Sequence, residues 1–180
     1  LMAQGLAADI LLLSGGVSAG DYDLVPRTLE ELGVECIFHK VSLKPGKPIW
    51  FGVFQRPAAA PTLVFGLPGN PVSALVCFEL FVRPALGLVS GQSIDKQSGS
   101  HHSAELVGSM KGGGDRPVYH PCRLELSDGR LFVEALKWGG SADLLGLSHA
   151  NGLLVVPKNC GNYQEGDVVE VIPLVSRFRH

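Results

Sequence analysis

Asp9-Ile10-Leu11-Leu12-Leu13 followed by Ser14-Gly15-Gly16-Val17-Ser18-Ala19-Gly20-Asp21-Tyr22-Asp23 is the stretch from which the rest of the chain can be read. An apolar run of this length closed by two glycines reads as a buried strand whose carboxyl end opens into a loop before a helix. Open α/β sheets bind ligands at such a point. The glycines let backbone N–H groups approach a ligand, the serines add hydroxyls, and the aspartates can hold a metal or cap the following helix. Taken alone, the same residues also suit a strand-to-helix turn with no ligand.

Working outward, residues 24–32 place Leu24, Leu29 and Leu32 on about one helical face, with Gly33 as a stop. Val25 precedes Pro26, so the regular helix is expected to begin at the proline. Residues 34–41, 49–54 and 62–65 read as strands, and 55–61 as a turn. Gly66-Leu67-Pro68-Gly69-Asn70-Pro71 then leads into a helical pattern over 72–88, with Pro71 suited to the first helical position and Asn70 to its cap. Strand, tight loop and helix thus occur twice, as in a doubly wound sheet.

Residues 91–103 are rich in Ser, Gly, Gln and His and read as a linker. Beyond it the pattern alternates: 104–110, 118–126, 131–136, 153–156 and 168–172 are expected strands, with Asp128-Gly129 as a hairpin turn. Five short strands in about eighty residues indicate a small β-barrel or sandwich. Residues 141–149 are the one helical stretch there. The expected organisation is an α/β domain over 1–90, the linker over 91–103 and an all-β domain over 104–180.

Composition narrows the function. Charged residues make up 18% of the 180 and the net charge is −2, which argues against nucleic-acid and anionic-membrane partners. Glu79, Arg83 and Pro84 are expected to break the apolar run from 71 to 89 and keep it from membrane-spanning character. Cys36, Cys77, Cys122 and Cys160 lack paired spacing and are expected to be free thiols of a reducing cytoplasm. No Ser/His/Asp triad emerges; His39, His120 and His149 are isolated and are expected to be structural, and His101-His102 lies in the linker.

Ser42-Leu43-Lys44-Pro45-Gly46-Lys47-Pro48 holds two lysines three positions apart on a loop stiffened by two prolines. Fixed ammonium groups are what an oxyanion site requires, since flexible lysines lose rotamer entropy on binding. A solvated loop is the alternative. With the loops at 14–23 and 66–71, this loop completes an inventory suited to a phosphorylated ligand, an anion and magnesium. Asp23 is the magnesium candidate, with helix capping as its other use.

In this order, Ser14 to Asp23, Leu43-Lys44-Pro45-Gly46-Lys47-Pro48 and Gly66-Leu67-Pro68-Gly69-Asn70-Pro71-Val72-Ser73 resemble the molybdopterin molybdenumtransferase family, which holds bacterial MoeA and the gephyrin E domain. The likeness continues through Gly114-Asp115-Arg116-Pro117, Gly140-Ser141 and Ala150-Asn151-Gly152-Leu153, so it covers nearly the whole chain. It implies part of a three-layer α/β/α molybdopterin-binding domain followed by a β-barrel. It further implies a transferase reaction in molybdenum cofactor biosynthesis: adenylylated molybdopterin receives molybdate and AMP leaves, with Mg2+ assisting.

By motif, the resemblance assigns Asp23 to the magnesium and phosphate site and Gly15, Gly16, Ser18 and Asp21 to the pterin phosphate pocket. Lys44, Lys47, Pro48, Ser18 and Ser73 would surround molybdate, with Arg116 and Ser141 contributed by the β domain. Pro68, Gly69, Asn70 and Pro71 would form a wall of the pterin pocket. Lysine and arginine suit a doubly charged tetrahedral anion. The chain departs from the family at Val118, where many members are acidic, and at Pro121, a position often held by arginine. A gephyrin-like scaffold that captures a peptide, and the adenylyltransferase acting one step earlier, are the other functions such a chain could serve.

The family acts as a homodimer, and its substrate domain begins with further strands, among them a Thr-Gly-Asp-Glu-type motif. The amino terminus here enters a core strand at once, so the chain is expected to be a fragment. The isolated 180 residues are accordingly expected to give no turnover; robust molybdate insertion by them would overturn that expectation.

Overall fold

The computed structural model describes residues 1–17, 24–93 and 101–174. The chain forms two compact units: Leu1–Val41 with Gly46–Gln92, and Ser42–Pro45 with Ser93–His180.

In the first unit, β1 (Ile10–Ser14), β2 (Glu35–His39), β3 (Trp50–Phe54) and β4 (Thr62–Leu67) make a four-stranded sheet in the order β1-β4-β3-β2. β1 runs parallel to β4, with Ser14 opposite Leu67. The other two pairings are antiparallel, so the sheet is mixed where the repeated strand-loop-helix pattern suggested a doubly wound one. The cause is local: the connections from β2 to β3 and from β3 to β4 carry no helix, and a parallel crossover needs one or a comparable length of chain.

Side chains alternate across this sheet with the period of two that a strand imposes. Trp50 and Val64 pack with Leu6, Val17, Leu29 and Val34 on one face. Ile49, Phe65 and Leu67 pack with Cys77 and Val82 on the other. Both faces are thus covered, which is why the strands read as nearly unbroken apolar runs.

Two short helices, α1 (Met2–Gly5) and α2 (Leu24–Glu31), belong to this unit. α2 begins ahead of Pro26. A proline within a first turn removes an N–H that has no intrahelical partner anyway, so the expected start at the proline is two residues late.

From Pro71 the chain is helical to Val89, as α3 (Pro71–Cys77), a π-helical turn Phe78–Val82 and α4 (Arg83–Val89). Proline at 84 cannot donate to the carbonyl four residues earlier, and the widened turn ahead of it, closed by the Arg83 N–H on the Phe78 carbonyl, accommodates the ring. The expectation that charge and proline break this run is therefore not met. Arg83 and Glu79 neutralise each other one turn apart, with Nη2 to Oε1 at 2.8 Å, while the guanidinium lies 5.5 Å from the centre of the Phe78 ring. By length and composition the helix reaches what a membrane crossing needs, yet Val72, Val76, Cys77 and Val82 are fully buried within the unit.

The second unit is a closed barrel ordered β5-β7-β6-β8-β9, from β5 (His102–Val107), β6 (Val118–Ser127), β7 (Arg130–Ala135), β8 (Gly152–Val156) and β9 (Val168–Pro173). Closure decides between the barrel and sandwich alternatives. Asp128 (φ 49°) and Gly129 (φ 74°) turn the β6–β7 hairpin with the paired positive φ of a two-residue type I′ loop. A short helix, α5 (Leu144–Ser148), precedes β8. β5 starts at His102, two residues before the expected strand, and His101 pairs with Glu170 of β9, so these histidines open the barrel and do not belong to a linker. Leu106, Cys122, Val133, Leu154 and Val171 fill the barrel interior.

Thr62 ties the sheet to the amino-terminal segment. Its hydroxyl is buried 2.8 Å from the Leu6 carbonyl and 2.7 Å from that of Ala8. Thr62→Val keeps the shape and strands both carbonyls, so chemical denaturation is expected to show a loss of about 1–3 kcal/mol.

Candidate functional site

At the carboxyl ends of β1 and β4 two loops lie against each other. The Gly15 N–H donates to the Leu67 carbonyl at 2.9 Å, carrying the parallel ladder one residue beyond the strands. Gly15 (φ 84°) and Gly16 (φ 67°) adopt the left-handed backbone that glycine alone takes at little cost. A Cβ on Gly69 would stand 3.6 Å from the Gly15 Cα, so bare backbone faces bare backbone. The turn is anchored from beneath: Val17 is buried in the space left by Gly66, whose missing Cβ would fall 2.6 Å from Val17 Cγ1. His39 Nε2, at the end of β2, donates to the Val17 carbonyl at 3.0 Å.

Among the sequence-predicted residues, Gly15, Gly16, Pro68 and Gly69 are brought together here. Asn70 is the N-cap of α3 in an extended conformation, without a side-chain capping hydrogen bond, so its expected capping role is positional. Pro71 opens the helix as expected, and Ser73 is buried in its first turn. Ser18, Asp21 and Asp23 lie outside the described residues.

The lysine loop exposes both its lysines, while Leu43, Pro45 and Gly46 are buried and Pro48 is half-buried. Lys47 belongs to the first unit, where its carbonyl accepts from the Val41 N–H at 2.9 Å. Beside it the Cys77 thiol donates to the Gly46 carbonyl at 3.4 Å; burial pushes this thiol up to about 12, which keeps it a donor at neutral pH. Cys36, Cys122 and Cys160 are likewise free thiols.

Lys44 joins the second unit. Its N–H donates to the Pro117 carbonyl at 2.9 Å and its carbonyl accepts from the Tyr119 N–H at 2.8 Å, making a parallel bridge to Val118 at the start of β6. Lys44 is thereby aligned with the segment that follows Arg116. Val118, at the position often acidic in the family, serves here as that bridge partner.

Ser141 lies in a turn held by many bonds. Asp143 accepts from the Gly146 N–H at 2.9 Å and the Gly139 N–H at 2.8 Å, and these two donors hold its carboxyl below the usual range. The Trp138 indole N–H donates to the Gly140 carbonyl, and Gly140 takes φ 114° just before Ser141. His120 Nε2 donates to the Leu136 carbonyl at 2.7 Å, and its ring meets the Trp138 indole edge-on at 5.2 Å. Burial lowers the His120 pKa, the Leu136 bond partly offsets this, and the nearby Lys44 charge lowers it further.

The cations so placed are Lys47, exposed in the first unit, and Lys44 and Arg116 in the second, where the Arg116 guanidinium lies 3.5 Å from the Asp115 carboxylate. Such groups can hold an anion. Sequence reading gave His39 and His120 structural roles by default, without their partners, and missed Trp138 and Asp143 as supports. Asp143 alone carried a local signal, as an N-cap type just ahead of a short helix.

The fold and loops define an α/β ligand-binding domain followed along the chain by a closed β-barrel domain. Residues 1–87 match the family of probable molybdopterin binding domains, and residues 103–174 match the MoeA C-terminal region, domain IV. Gephyrin of Dictyostelium discoideum is 37% identical over 183 residues, a match covering 92% of this chain and 25% of that protein. A molybdopterin molybdenumtransferase of a Nostoc species is 37% identical over 158 residues, covering 83% and 34%. The crystal structure of a molybdopterin biosynthesis moea protein from Pyrococcus horikosii superposes with a TM-score of 0.68 at 29% identity, covering 93% of this chain and 37% of that one. The chain belongs to the molybdopterin molybdenumtransferase family of MoeA and gephyrin, and spans 25% to 34% of the length of these two curated relatives.

The His120 environment sets a pH dependence. With its folded pKa below the unfolded value of about 6.5, the unfolded chain binds more protons as pH falls. The contribution to stability is complete above about 6.5 and is lost on acidification. His120→Phe is expected to flatten the decline in unfolding free energy between about pH 7 and about pH 5.5 relative to the parent chain, measured by urea denaturation.

Proposed function

We propose that the chain forms part of a molybdopterin molybdenumtransferase, which inserts molybdate into adenylylated molybdopterin and releases AMP. The observation that carries this reading is the meeting of Gly15 and Gly69 at the carboxyl ends of two adjacent parallel strands. Bare backbone there admits close approach of a phosphate and of a planar ring. The Nostoc relative, named for this activity, supports the reaction class.

In this reading Gly15, Gly16, Ser18 and Asp21 line the phosphate pocket. Pro68, Gly69, Asn70 and Pro71 give the pterin a stiff wall, since two fixed proline φ angles leave the loop little freedom. Lys44 and Lys47, both exposed beside the buried Leu43, Pro45 and Gly46, supply charge to molybdate, aided by Pro48, Ser18 and Ser73. Arg116 and Ser141 add a guanidinium and a hydroxyl.

Magnesium is proposed at Asp23. Among the described residues no group of three or more His, Cys, Asp or Glu side chains could hold a metal. Magnesium needs no such cage when one or two carboxylates and the substrate's phosphates complete its shell, and there it supplies charge neutralisation. The low charge density favours small-molecule substrates over nucleic acid, and the buried residues of the 71–89 helix favour a core role over a membrane one. The free thiols suit the cytoplasm, and the family resemblance suits a homodimer. Likeness to Dictyostelium gephyrin keeps a scaffold as the second reading; retention of both lysines favours the enzyme.

In the full-length protein, Asp23→Ala is expected to slow AMP release from adenylylated molybdopterin about a hundredfold or more, with the melting temperature held within a few degrees. Unchanged release would refute the role given to Asp23.

A further inference from the structure

In the β6–β7 pairing Cys122 stands opposite Ala135, which puts Pro121 opposite Leu136 in the next position. The Leu136 N–H donates to the Pro121 carbonyl at 3.1 Å. An antiparallel pair of this kind exchanges two bonds, and the return bond would run from the N–H of residue 121 to the Leu136 carbonyl. Proline has no N–H to give. His120 Nε2 lies 2.7 Å from that carbonyl, and because a carbonyl can only accept, Nε2 carries the hydrogen. The imidazole replaces the missing rung of the ladder.

That rung stands where the ladder hands over to the Ser141 turn. Immediately beyond Leu136 come Trp138, edge-on to the same imidazole, and Gly140, whose carbonyl the Trp138 indole N–H holds. On the other side of His120 along the strand, Pro117 and Tyr119 bond the backbone of Lys44. We propose that His120 is a positioning residue: by giving the hydrogen bond that Pro121 cannot, it fixes residues 136–141 on the strand that also holds Lys44, and so sets how tightly an oxyanion is bound there. The oxyanion part rests on the transferase reading; the fixing of the turn does not.

The test is a double-mutant cycle on the 180-residue chain with His120→Phe, Pro121→Ala and the pair, because alanine restores the backbone donor at 121. One readout is solvent exchange of the Trp138 indole N–H by NMR, with the fully buried Trp50 as internal control. The other is calorimetric affinity for molybdate alone. His120→Phe is expected to speed the exchange and weaken molybdate about tenfold each, the loss of one part-buried hydrogen bond. Pro121→Ala is expected to stay within about threefold of the parent, and the double variant to return to that range, since the new N–H serves Leu136.

A His120→Phe chain that matches the parent in both readouts overturns the proposal, as does a double variant no better than His120→Phe alone. Should the parent bind no molybdate, the anion reading falls, and unchanged indole exchange in His120→Phe would by itself overturn the positioning role. If His120→Phe does not fold, His120→Asn takes its place, its shorter amide falling short of the Leu136 carbonyl, with the same outcomes deciding.

Discussion

Parallel pairing of β1 with β4, extended past the strand ends by the Gly15 amide on the Leu67 carbonyl, is the constraint on which the candidate site of the first unit depends. It brings together two loops more than fifty residues apart in the chain. Each loop then needs glycine for a different reason. Gly15 and Gly16 need it for their backbone conformation and Gly66 for the room Val17 occupies, while a Cβ on Gly69 would rest in ordinary contact, 3.6 Å from the Gly15 Cα. The result is a polar surface of backbone with little side chain to move, the form of preorganisation that costs least when a charged ligand arrives.

Conformational stiffness recurs in the lysine loop. In the first unit the Cys77 thiol holds the Gly46 carbonyl, and in the second the start of β6 holds the Lys44 backbone. Compactness divides this loop: Ser42–Pro45 goes with the barrel unit and Gly46 onward with the α/β unit. The backbones of two lysines three positions apart thus belong to two different units.

In the barrel the hydrogen-bond accounting is unusually informative. A proline inside a paired strand removes a ladder donor, and such residues belong at edges or irregularities. Here the irregularity is repaired by the neighbouring side chain, and the repaired rung is the one next to the Ser141 turn. Asp143 closes the far side of the same turn with two backbone donors. Departure from the family pattern at Pro121 and the placement of His120 are then two aspects of one local balance between donors and acceptors.

Periodicity, glycine and proline determined much of this protein from the sequence alone. The apolar runs at 9–13 and 62–65, the Asp128-Gly129 hairpin and the helical run after Pro71 are local consequences of side-chain spacing and backbone freedom, and the three loop motifs suffice for family likeness. What the tertiary structure decided is non-local. The direction of β3 and β2 depended on connections without helices, and closure of the barrel on which strands met. A wider turn before Pro84 let the helix run on where charge and proline seemed to break it. His39 and His120 looked like isolated histidines because their partners, the carbonyls of Val17 and Leu136, are backbone atoms, and backbone acceptors leave no mark in a sequence.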